Sequence, residues 1–441
     1  MNQNLAVNYD RTLKLMTVSP SAWTATGPTQ WFDAYRIITV VDNPLIGRLG
    51  IIDLRPYVLG KVIPRTVKQI FPSPALQRLI KDQSLDDYKF LLNRASSVLP
   101  SQSTLGNLFQ VVNKFENKVW FRETFADKLN FPEFEIISMS ELQASGAYQA
   151  LANRLSVNLV VQHQKLAGSR GTYYVSSAEE FQLAISRLAE TEALDDRIVI
   201  ARRLNGVVER TLQACITENE IYVGPAQAQL VGHPLLTWQL PGEIQFCGGR
   251  IEAGLMTDGQ YRVASDSVQL IGQSLKDAGY RGIFGVDFLI ENDQVYVIET
   301  NPRMTGMTPL LAFLQRELPF LLLHILELAQ SPYTIKASTA QTNGEGSFLQ
   351  IFVQTDSSIA GQTGVYNSQL EKISDGFDNG SLLPDDNYFV GLRASLGEEI
   401  PAGKSFAFIY SHKQLFDDAG QLEPGVEQLV GLLRTKFVTS L

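Results

Sequence analysis

The chain carries only two cysteines in 441 residues, Cys215 and Cys247, and four histidines, His163, His233, His324 and His412. The cysteines lack metal-type spacing and the histidines are scattered, so a zinc site is not expected. Two isolated thiols make no disulfide framework. Buried free thiols are expected instead, which fits a reducing cytoplasm. No block of Lys or Arg interrupts a net charge of −9. That argues against nucleic acid and anionic membranes as partners. Long apolar runs are missing too. The most apolar stretch, residues 318–328, is short and contains His324 and Glu327, so a packed helix is expected rather than a membrane span. The first residues, MNQNLAVNYDR, have no basic region followed by an apolar core, so no signal peptide is expected. There is no internal repeat and no low-complexity tract. No G-x-G-x-x-G follows a strand-like run, so no dinucleotide site is expected.

What remains is an ordinary globular composition, 44% hydrophobic and 19% charged. A chain of this length is expected to build about two to four units. Its most informative stretch is 282–306, GIFGVDFLIENDQVYVIETNPRMTG. Two apolar runs, 283–290 and 295–298, flank a polar turn, which is a β-hairpin signal. Glu299 and Asn301 share a face because side chains alternate along a strand. Asp287 joins them only if the connecting loop is odd, and a three-residue loop of Asn292, Asp293 and Gln294 is expected. The hairpin would then gather two carboxylates and an amide oxygen, the hard ligands that suit Mg²⁺. Pro302 cannot donate to the ladder and ends it. Arg303 follows as a fixed, always-charged fork.

This hairpin, with its twelve-residue carboxylate spacing and E-x-N-P-R ending, resembles the metal-binding hairpin of the ATP-grasp superfamily. The resemblance implies an α/β (α+β) chain with the ATP-grasp fold. It implies a small lid subdomain (113–206) and a large antiparallel-sheet catalytic subdomain (207–330), preceded by an N-terminal β/α domain (1–112); beyond them, alternating apolar and polar residues read as a small β-rich C-terminal domain (331–441). For the C-terminal unit two roles stay open, formation of a homodimer or closure of the substrate pocket. In the first unit Trp23, Trp31 and Phe32 are expected to pack in the core rather than line a pocket. No A-M-K-M-type segment provides a biotin-acceptor context.

The resemblance also assigns residues to ATP and metal. Asp287, Glu299 and Asn301 would hold two Mg²⁺ ions, for which Mn²⁺ can substitute. Lys118, at the head of a helix expected over 118–128, would contact the nucleotide. Gly168, Ser169, Arg170 and Gly171 form a glycine-rich loop between two strands, the kind of concave turn whose N–H groups bind phosphate. The strand before this loop ends in the family with a phosphate-binding lysine, but here the position is Gln162. Gln is neutral and offers only an amide. Lys165 is the alternative source of charge, and Gln162→Lys is expected to keep or tighten ATP binding unless Lys165 already fills the gap. Arg203 and Leu204 would read the adenine edge with their backbone, and Glu209 would hold the ribose. A glutamate common near the hinge is replaced by Ala201. Arg250, beside Gly248 and Gly249, is either a bidentate ligand of a substrate carboxylate or a surface arginine.

The activity implied is that of a carboxylate–amine ligase working on small, amino-acid-like substrates. ATP would phosphorylate the carboxylate and an amine would attack the acyl phosphate, with Arg303 stabilising the developing charge. Two alternatives stand beside it. One is a phosphotransferase or biotin-independent carboxylating enzyme. The other is a nucleotide-binding regulatory protein without turnover, supported by Gln162 and Ala201.

Overall fold

The structure is a computed structural model and describes residues 5–19, 22–42, 44–59, 67–92, 95, 104–165, 171–190, 197–238, 245–336, 344–376 and 386–441. At the N-terminus five short parallel strands form a sheet in the order Ile51–Asp53, Tyr35–Thr39, Leu15–Val18, Lys89–Leu91 and Thr104–Leu105. Leu15–Val18 is buried along its whole length, as strands covered on both faces are. Helix Pro74–Asp82 starts on Ser73, whose side chain accepts from the Leu76 N–H at 3.3 Å. Pro74 occupies its first turn, where a missing N–H costs nothing. Trp31 and Phe32 are buried in the core, as expected, and the Trp23 side chain lies outside the described residues.

The stretch expected as the lid holds a four-stranded antiparallel sheet in the order Phe134–Ser138, Arg197–Arg202, Leu159–Gln162 and Thr172–Val175. Helix Ala178–Ala189 packs on it through Phe181, Ile185 and Leu188. Ahead of the lid sheet, helix Lys118–Phe125 is shorter than the expected 118–128.

The central sheet is larger than the sequence indicated. It runs through ten strands, from Gln294–Asn301, Gly282–Glu291, Val208–Ile216, Ile221–Val231 and Phe246–Ile251 directly into Gly346–Phe352, Ser405–Ser411, Tyr388–Leu392, Gly364–Tyr366 and Lys372–Ser374. The expected boundary at 331 therefore does not interrupt the sheet. Gly248 pairs with Leu349 and Gly249 with Phe348 across it. Helix Asp258–Asp277 begins at a reciprocal capping box formed by Thr257 and Gln260. Helix Phe320–Ala329 is almost wholly buried, and among the described residues no helix is long and apolar enough to cross a membrane. Cys215 and Cys247 are both buried free thiols.

Candidate active site

The hairpin of Gly282–Glu291 and Gln294–Asn301 reaches its expected register by another route. Asn292 and Asp293 alone make the turn, with φ of 48° and 65°. Two consecutive left-handed residues are the geometry of a two-residue hairpin loop, which Asn and Asp tolerate. The expected three-residue loop is thus corrected, since Glu291 already pairs with Gln294. An even loop by itself would set Asp287 opposite Ile298. A bulge between the Phe288–Val297 and Asp287–Glu299 pairs absorbs Ile298 and restores the parity. Asp287 then faces Glu299, and Gly285 faces Asn301. Ile298 and Glu299 both line the cleft described below.

Asp287 is surrounded by donors. Thr211 Oγ1 donates to its Oδ1 at 2.5 Å and Gln229 Nε2 to the same oxygen at 2.8 Å. Asn301 Nδ2 donates to Oδ2 at 2.9 Å. Even so, burial and then the nearby Glu299 push its carboxyl up to about 7. Burial acts on Glu299 as well, but Lys118 and Arg303 outweigh it and hold that carboxyl below its ordinary value. Lys118 Nζ lies 2.8 Å from Glu299 Oε2. Glu299 is ion-paired with Lys118, whereas Asp287 has no ion-pair partner among the described residues and only the lesser pull of Arg303. That is the electrostatic signature of a site that takes up positive charge.

The donor set fits Mg²⁺ in chemistry. Among the described residues no group of three His, Cys, Asp or Glu side chains is arranged to hold a metal, so two carboxylates and an amide are the set available. The amide is turned with Nδ2 toward the carboxylates, while its Oδ1 accepts from Arg303 Nη2 at 2.7 Å. Ligation through all three residues requires that amide to turn over, which releases the Arg303 fork. Arg303 is further tied to Glu116 Oε1 at 3.1 Å and to the Met304 carbonyl at 3.3 Å.

Lys118 is no surface lysine, being 6% exposed. Asn117 caps its helix by accepting from the Val119 and Trp120 N–H groups, each at 3.0 Å. The Lys118 N–H donates to the Gln164 carbonyl at 2.8 Å, and Asn117 Nδ2 to Gln164 Oε1 at 2.8 Å. This stitching holds the helix head against the end of strand Leu159–Gln162. Gln162 faces the cleft, and its Oε1 accepts from Arg122 Nη2 at 2.9 Å. Beyond it the Lys165 N–H donates to His163 Nδ1 at 3.0 Å. Gly171 has φ 68° and its carbonyl accepts from the His163 N–H at 2.8 Å. Gly168, Ser169 and Arg170 lie outside the described residues.

Between the lid sheet and the central sheet lies an open cleft. Its lining mixes apolar Val160, Ala201, Leu204, Phe288 and Ile298 with Lys118, Arg122, Gln162, Asp287 and Glu299. An apolar pocket with a few convergent polar groups is the usual form of a cofactor site. Arg203 stacks over Tyr174 at 4.3 Å. The Arg203 N–H is engaged by the Asn158 carbonyl at 2.9 Å, so of its two backbone groups only the carbonyl can read a base edge. Glu209 lines the cleft, and burial and then Asp287 push it up to about 7.

Arg250 is the clear departure. It is 2% exposed and does not line the cleft. Its Nη1 donates to the Phe416 carbonyl at 2.6 Å, and its Nη2 meets Asp418 at 2.5 Å. Nε lies 3.1 Å from Glu252. With the fork filled from within, Arg250 is neither a surface arginine nor a substrate ligand. It joins the central sheet to the turn around Asp418. Sequence reasoning missed Arg122, Thr211 and Gln229. Arg122 was legible as the i+4 companion of Lys118 on one helix face, whereas the other two needed strand pairing to be placed beside Asp287.

Residues 116–307 match the family of ATP-grasp domains. The matched stretch, at the centre of the chain, is an ATP-grasp domain. Solved structures share the fold at low identity. The biotin carboxylase domain of Hydrogenobacter thermophilus 2-oxoglutarate carboxylase, a dimer in complex with MgADP, ADP and bicarbonate, is 11% identical with a TM-score of 0.60, covering 91% of this chain and 86% of that one. Phosphoribosylamine–glycine ligase from Thermotoga maritima is 12% identical with a TM-score of 0.60, covering 97% of each chain. N5-carboxyaminoimidazole synthetase from Staphylococcus aureus, complexed with ADP, is 12% identical with a TM-score of 0.53, covering 98% of this chain and 99% of that one. No curated protein matches the sequence.

Proposed function

We propose that this chain is an ATP-dependent carboxylate–amine ligase acting on small, amino-acid-like substrates through an acyl phosphate. The observation that carries the reading is the charge pattern in the cleft. Asp287 has no ion-pair partner among the described residues and stands beside a Glu299 already paired with Lys118. Bound Mg²⁺ and ATP would supply the phosphoryl group that activates the carboxylate. Asp287, Glu299 and Asn301 are the ligands for two Mg²⁺ ions. Lys118, Lys165 and the 168–171 loop face the phosphates in this reading. Glu209 takes the ribose, and the Arg203–Leu204 backbone takes the base. Arg303, once free of Asn301, steadies charge on the acyl phosphate and on the tetrahedral adduct. Lid closure keeps water from the acyl phosphate.

A second reading is a carboxylating enzyme. It is favoured by one fold neighbour that holds bicarbonate with MgADP. The test is Mg²⁺-dependent release of ADP and phosphate against amino acids singly, in pairs, and with bicarbonate. Release that needs both a carboxylate and an amine supports the ligase. Release with bicarbonate and one acceptor supports the second reading. Nucleotide binding without turnover across the panel counts against both.

A further inference from the structure

One turn beyond Lys118, helix Lys118–Phe125 carries a second cation in an unusual setting. Arg122 is 1% exposed and lines the cleft. No carboxylate forms an ion pair with it among the described residues. Its Cζ lies 5.3 Å from the ring centroids of both Phe131 and Phe134. Nε and Nη1 have no hydrogen-bond partner among the described residues. Nη2 donates to Gln162 Oε1 at 2.9 Å. Burial lowers its pKa to about 10, against the pull of Glu299, so it stays charged at neutral pH. A buried charge held only by ring faces and one neutral amide is under-compensated. The contact also fixes the amide. Its acceptor end is taken, so Gln162 offers the cleft its donor end, Nε2.

We propose that Arg122 and Gln162 form a split phosphate-recognition unit, in which Arg122 supplies charge and orients Gln162 while Gln162 makes the contact, so that a nucleotide's phosphates become the missing counter-charge. Arg122 is thus a positioning residue. The inference rests on the nucleotide reading above and deepens it. It also revises the expectation for Gln162→Lys, because an ammonium at that point meets a buried guanidinium.

The test is calorimetric titration of the full chain with MgATP, MgADP and adenosine, with melting curves as a check on folding. Arg122→Met is expected to weaken both phosphorylated ligands about tenfold while changing adenosine less than about twofold. Gln162→Lys alone is expected to weaken them similarly. The double variant Arg122→Met/Gln162→Lys is expected to recover to within about threefold of the unaltered chain, because one ammonium then replaces both groups. Gln162→Met, which keeps the buried charge and deletes only the donor, provides the same phosphate-selective loss if Arg122→Met does not fold. Equal losses for adenosine and MgATP, or a double variant no better than the worse single one, would overturn the proposal and leave Arg122 a packing residue. Failure of the unaltered chain to bind any of the three ligands would overturn the nucleotide reading itself, and this inference with it.

Discussion

Replacing Asp287 with Asn should stabilise the protein while destroying its activity, and the size of the effect follows from the site. Asp287 has its carboxyl pushed up to about 7 by burial and then by Glu299, against about 3.9 in an unfolded chain. The sign runs one way. Below about pH 4 both states hold the proton and nothing is lost, whereas between about 4 and 7 the unfolded chain ionises first and stability falls. Above about 7 the cost is full, at most about 4 kcal/mol. Asparagine removes that cost but not for nothing. Its oxygen still accepts from Thr211 and Gln229, whereas its Nδ2 meets the Asn301 amide that now donates to Oδ2. One mispaired contact of about 1–2 kcal/mol leaves a net gain of about 2 kcal/mol. For a chain this long that is roughly 2 °C in melting temperature if it unfolds as one unit. The assay is thermal melting of both proteins at pH 5 and pH 8, with and without Mg²⁺. The gap should be largest at pH 8, shrink by more than half at pH 5, and narrow when Mg²⁺ stabilises the unaltered protein alone. A variant no more stable at pH 8, or a gap indifferent to pH, would refute the reasoning.

The partner carboxylate should behave oppositely. Glu299→Gln should cut Mg²⁺-dependent ATP turnover at least about a hundredfold, and wild-type-like turnover would sink the site assignment. Because the Glu299 carboxyl is held below its ordinary value, its contribution is present above about pH 4.3 and lost as pH falls further. This variant should therefore be less stable at pH 7, with Lys118 left without its carboxylate. Arg250→Met should lower stability by about 2 kcal/mol, since the Phe416 carbonyl and Asp418 lose their donor, yet leave every substrate KM within about twofold; a larger KM change would return Arg250 to the substrate site. His324 accepts from the Ile283 N–H at 3.0 Å, and burial lowers it to about 4. Its contribution is whole above about pH 6.5 and fades toward pH 4. His324→Gln should flatten stability across that window, which chemical denaturation at stepped pH would show.

Elements with a strong local signal were legible in the chain, and elements that depend on distant pairing were not. The two apolar runs of the hairpin and the helix that begins at Lys118 came from periodicity and turn residues, which act within a few positions. The ten-stranded continuity came from Gly248 and Gly249 meeting Leu349 and Phe348, about a hundred residues away. Composition beyond 331 reads as β-rich either way. The hairpin shows a subtler case. Period-two reasoning required an odd number of residues between Asp287 and Glu299 beyond regular pairing, and a longer loop was one way to supply it. The chain supplies it with a bulge at Ile298 instead. Carboxylate spacing predicts their meeting but cannot tell a loop residue from a bulge residue, because both shift parity by one.

Which charges are compensated is the part that a sequence hides most completely. Arg250 lies beside two glycines, which suggested an open turn. Those glycines serve close packing instead. A Cβ at Gly248 would meet the Phe348 carbonyl at 2.8 Å, and one at Gly249 would collide with Met307. The arginine that follows them is enclosed. Gln162 misled in the other direction. Read alone it looked like a lost cation, which weighed toward a protein without turnover. Its neighbour in space is Arg122, forty positions away in sequence and donating into its amide. The rings that hold Arg122 come from Phe131 and Phe134, at the entry to the lid sheet. Charge absent from one strand is thus present on the adjoining helix. The substitution of glutamine for lysine is therefore evidence about how positive charge reaches the cleft, and no evidence that the cleft lacks it.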